Sequence, residues 1–71
     1  MYVLLAKTKD NRWYIRNKTG WLGVFEHKLA NYNDVILMRY MHEVREECRN
    51  TSFNEDSLWY YNTETDIITS L

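Results

Sequence analysis

Apolar positions between residues 33 and 49 recur at helical spacing. Leu37, Met41, Val44 and Cys48 fall at i, i+4, i+7 and i+11 and form one stripe. The spacing predicts a helix over residues 33–49, capped by Asn33, with Asp34 at the positive end of its dipole and Arg49 at the negative end. Asn50 would close it in a left-handed turn. Elsewhere the pattern shortens to the alternation of strands. Residues 2–8 place Tyr2, Leu4 and Ala6 on one side and Val3 and Leu5 on the other. Residues 9–12 are polar and turn-tolerant, and residues 13–18 resume the alternation, so residues 2–18 read as a hairpin.

Thr19-Gly20 makes the next turn, and residues 21–26 read as a third strand weakened or bulged at Gly23. Residues 27–32 read as a loop or a single helical turn. After the helix, Phe53 is the one large apolar residue of a polar stretch and reads as a plug under the loop. Residues 58–61 and 66–70 are two further strands joined by residues 62–65. The order is β-β-β-α-β-β, an α+β domain in which one amphipathic helix packs on one face of a small, mainly antiparallel sheet.

One helix covers one face, yet aromatics fall on both. Trp13 and Tyr14 are neighbours and point oppositely, as do Trp59 and Tyr60. Either the sheet curls into a half-barrel that buries the second set, or an exposed aromatic patch pairs with another copy or a partner. The small size of the chain favours the exposed patch.

Composition narrows the class. The 71 residues make a single domain (1–71) close to the lower limit for one core, and 45% hydrophobic content is enough to build it. Apolar runs are far too short to cross a membrane, and no cleavage signal follows the first one. One cysteine makes no internal disulfide, so a reducing cytoplasm is the simplest setting. The net charge of −1 hides an asymmetry: residues 1–31 carry +4 and residues 32–71 carry −5. Attraction between the halves accounts for this more simply than a basic binding face does.

Little in the chain points to catalysis. His42-Glu43-Val44-Arg45-Glu46 approaches the H-E-x-x-H pattern, but Glu46 stands in place of the second histidine and no third ligand is evident. Cys48 lies on the apolar stripe beside Glu46 and Glu47, where the helix end and the carboxylates both disfavour a thiolate. The two glycines cannot build a phosphate loop, and no serine sits in a nucleophile elbow. The chain is therefore expected to be non-enzymatic, with no cofactor and no metal site.

Lys7, Lys9, Arg12, Arg16 and Lys18 interleave with Trp13, Tyr14 and Trp21, a mixture suited to phosphates and stacked bases. Nucleic-acid binding through those five cations is the alternative reading. The main expectation is a protein-interaction module, joining a partner or a second copy through Trp13, Tyr14, Trp21, Trp59 and Tyr61, residue types that dominate interface energy. The abundance of Asn, Tyr, Lys and Ile without proline suits an AT-rich genome such as that of a phage or mobile element, whose small proteins commonly bind and modulate host proteins.

Overall fold

The structure, a computed structural model, describes residues 1–24 and 34–71. Its elements are β1 (Tyr2–Lys7), β2 (Trp13–Asn17), β3 (Gly20–Val24), α1 (Met41–Arg49), β4 (Leu58–Asn62) and β5 (Ile67–Ser70). A 3-10 turn, Glu55–Ser57, precedes β4. The strands form one antiparallel sheet in the order β3-β2-β1-β4-β5, and α1 lies between β3 and β4 in the chain. The α+β reading holds: among the described residues one helix packs on one face of a five-stranded sheet. The residues expected at 25–33, including the end of the third strand, the loop and the Asn33 cap, lie outside the described part.

β1 is the centre of the sheet, and its alternation divides the molecule into two cores. Leu4 and Ala6 face the helix and are buried with Met38, Val44 and Leu58. Val3 and Leu5 face the other way and are buried with Ile15 and Tyr61. Gly23 sits in regular register opposite Tyr14, with no bulge, and the Tyr14 ring passes 3.8 Å from where a Cβ on Gly23 would stand.

The helix is shorter than its pattern predicts. It starts at Met41 with Tyr40 as N-cap, and Met41, Val44 and Cys48 keep their places on its inner stripe. Leu37 does not: it precedes the helix and is 57% exposed. The apolar run Val35-Ile36-Leu37-Met38 is extended. β1 and β2 pair only from Leu5–Ile15 to Lys7–Trp13, and beyond that they separate. The run enters the gap, with Val35 opposite Asn17 and Met38 opposite Tyr2. The Lys18 N–H donates to the Asp34 carbonyl at 2.9 Å, and the Ile36 N–H to that of Arg16 at 3.3 Å. Tyr2 and Met38 exchange bonds of 2.6 and 2.9 Å.

Separated strands leave backbone groups that require partners, and this segment supplies them. Val35 and Ile36, β-branched and adjacent, then point into opposite cores as strand neighbours do. Asp34 takes a left-handed turn (φ 63) ahead of this wedge, not a place in the first turn of the helix. Asn50 closes the helix at φ −92, not in the left-handed region.

Among the described residues no helix covers the second core. Trp13 and Trp59 come from strands on either side of β1, and their rings meet edge to face with centroids 5.6 Å apart. Strands two positions apart are separated by about 9.5 Å, so both rings lean inward over β1. Beneath them Leu5 is 1% exposed. The described side chains thus cover much of the second face, with Tyr61 buried and Trp13 and Trp59 half-buried, where the sequence favoured an exposed patch.

Candidate functional site

The five aromatics expected at an interface do not form one surface. Tyr14 and Trp21 lie on the helix face and close around Phe53, with ring centroids 6.2 and 4.9 Å from it. Trp13, Trp59 and Tyr61 belong to the opposite face, where Tyr61 is buried and the two tryptophans are half-buried. The sheet itself separates the two groups. The Tyr61 hydroxyl donates to the Asp66 carboxylate, which raises the phenol's pKa above its ordinary value. That bond ties β4 to the left-handed residue (φ 60) that closes the β4–β5 loop. Inside the loop the Asn62 side chain accepts from the Glu64 N–H at 2.9 Å.

Most of the cations are engaged. Lys7 Nζ lies 5.3 Å from the Trp13 ring centroid and 5.9 Å from that of Trp59. Arg12 pairs with Asp10 at 3.1 Å, and the Thr8 hydroxyl, donating to Asp10, holds that carboxyl below its ordinary pKa with a smaller contribution from Arg12. Arg16 Nε donates to Glu47 Oε1 at 2.8 Å and its guanidinium lies over Trp21, joining β2 to α1. Lys9 and Lys18 are exposed, one in the β1–β2 turn and the other beyond the far end of β2. Among the described residues these five cations do not form one continuous basic face.

The groups with potential for chemistry are similarly dispersed. His42 and Glu46 are exposed, and His42 stacks on Tyr40 at 5.6 Å. Among the described residues no three His, Cys, Asp or Glu side chains come together to hold a metal. Burial pushes the Cys48 thiol up from its ordinary pKa, away from thiolate chemistry.

A different site emerges at the far edge of the sheet. β5 is the last strand, and among the described residues nothing pairs with its outer side. The Leu71 N–H donates to the Leu58 carbonyl at 3.1 Å, so Leu71, Thr69 and Ile67 turn their backbone groups inward to β4. Antiparallel alternation leaves those of Ile68 and Ser70 directed outward. Ile67 is 58% exposed, and Thr69 and Ser70 are exposed with it. Residues 67–71, Ile-Ile-Thr-Ser-Leu, carry no charge and no proline, the usual guards of an open edge.

Beside this edge, between α1 and the ends of β4 and β5, lies a cleft of about 710 Å³. Met41, Cys48, Leu58, Tyr60 and Leu71 give it apolar walls, and Arg45, Arg49 and Glu55 bring charge to it. The sequence carried one signal for this site, the uncharged run 67–71 directly after the acidic Glu64 and Asp66. Nothing local marked that run as an edge.

Fold and site together define a small α+β protein, a five-stranded antiparallel sheet with one helix on one face and an unguarded edge beside a helix-lined cleft. No protein-family model, curated protein or solved structure matches the chain.

Proposed function

We propose that the chain is a non-enzymatic protein-interaction module that takes an extended segment of a partner along β5. The observation that carries this reading is the uncharged outer edge of β5, with the Ile68 and Ser70 backbone groups open and Ile67 exposed. Strand addition draws its affinity from such main-chain groups and its specificity from a pocket next to them. The cleft walled by Leu58, Tyr60 and Leu71 lies at that position. Nucleic-acid binding has weaker support, because Lys7, Arg12 and Arg16 are already held by rings or carboxylates.

The test is selection of twelve-residue peptides from a random display library on the immobilised protein, in parallel with Ser70→Pro. Proline at Ser70 removes an outward N–H and leaves the β4–β5 bonds in place, so the fold is retained. The parent enriches a set of peptides that Ser70→Pro does not bind. Ile67→Lys, which places a charge on the exposed edge, has the same effect without altering the backbone. Peptides that bind all three proteins equally would overturn the proposal.

A further inference from the structure

Resting on the strand-addition reading, we infer that the segment taken by β5 is acidic, with one large apolar side chain in the cleft and a carboxylate at Arg45 and Arg49. In a sheet extended beyond β5, alternate side chains of the new strand fall on the helix face, beside Thr69 and Leu71. Thr69 is exposed on that face, and Leu71 lines the cleft. The apolar walls from Met41, Leu58 and Tyr60 suit an aliphatic or aromatic side chain.

The electrostatics select what accompanies it. Arg45 and Arg49 are one turn apart on α1, both exposed, and both line the cleft. Among the described residues neither pairs with a carboxylate, whereas Arg12 and Arg16 both do. Among the described residues Glu55 is the one acidic side chain lining the cleft, so its lining side chains carry one more positive charge than negative. Two guanidinium groups at this spacing offer forked donors to a carboxylate.

The experiment repeats the peptide selection with the Arg45→Gln/Arg49→Gln double variant, in which glutamine preserves helix propensity. Peptides enriched by the parent carry Asp or Glu at a fixed spacing from a large apolar residue, and the double variant loses the acidic preference while still enriching strand-forming peptides. A synthetic peptide of the selected sequence binds the parent about tenfold more tightly than its Glu→Gln or Asp→Asn counterpart. That difference disappears in the double variant. Peptides that depend on Ser70 and Ile67 but show no acidic preference would overturn the inference and leave strand addition standing. Peptides indifferent to β5 would overturn both. A dimer by light scattering that Ser70→Pro converts to a monomer would make a second copy the occupant and overturn the acidic partner segment.

Discussion

The two faces of the sheet solve the same problem by different means. On one, α1 lies over Leu4 and Ala6 and supplies Val44, so a helix seals the core. On the other, among the described residues, Trp13 and Trp59 lean over β1 and cover Val3, Leu5 and Ile15 with side chains rather than a helix. A chain of this size has too little backbone to build a second covering layer, and large rings are the economical substitute. The comparison also shows that part of the area those tryptophans would offer a partner lies against Leu5.

Leu4 and Leu5 test the equivalence most directly. They are adjacent in β1, 0% and 1% exposed, and each belongs to a different core. Replacement of either by alanine should cost about 2–5 kcal/mol, a large share of the roughly 4–10 kcal/mol expected for a domain of this length. Urea unfolding reads both. Similar losses are expected; a Leu5→Ala loss below about 1 kcal/mol would show that the rings leave the second face wet. A double-mutant cycle of Trp13→Ala and Trp59→Ala sharpens the result, with an expected coupling of about 0.5–1.5 kcal/mol from the edge-to-face contact.

Smaller effects come from the ion pair that joins the helix to the sheet. Arg16 and Glu47 have side chains only 19% and 21% exposed and lie 31 positions apart in the chain. Glu47→Gln should cost about 1 kcal/mol, between the values for open and fully buried pairs. The same cycle with Arg16→Gln should give a coupling that 1 M salt only partly removes, because the pair is half-buried. A coupling absent even at low salt would mean that α1 is held by Met41, Val44 and Cys48 alone.

The strands, their turns and the inner stripe of the helix were legible because each is a local pattern: alternation in 2–7, the polar tetrad 9–12, and Met41–Val44–Cys48. The start of the helix was not. Val35-Ile36-Leu37-Met38 satisfies the strand period as readily as the helical one, and what decides between them is the gap between β1 and β2, made by residues far away in sequence. The engagement of Arg16 was hidden for the same reason, its partner being Glu47. The site at β5 was hidden by topology. Leu58–Asn62 and Ile67–Ser70 read as a hairpin, but only the pairing of β1 with β4 makes β5 an edge.

The smallest effect distinguishes the faces by pH. Tyr61 is the buried residue of the ring-sealed core that titrates, and its hydroxyl donates to Asp66. The bond stabilises the protonated phenol, so the folded-state pKa lies above the ordinary 10.0. A raised pKa contributes stability that is complete below the unfolded value and is lost as pH rises through the folded one. Tyr61→Phe should therefore lower stability at neutral pH, and the gap between parent and variant should stay constant up to about pH 9 and close above pH 10. Leu4→Ala in the helix-sealed core removes no ionising group and should keep the same deficit across that range. A Tyr61→Phe deficit equally flat with pH would mean that packing alone holds the ring, and that the hydroxyl contributes nothing to closing the second face.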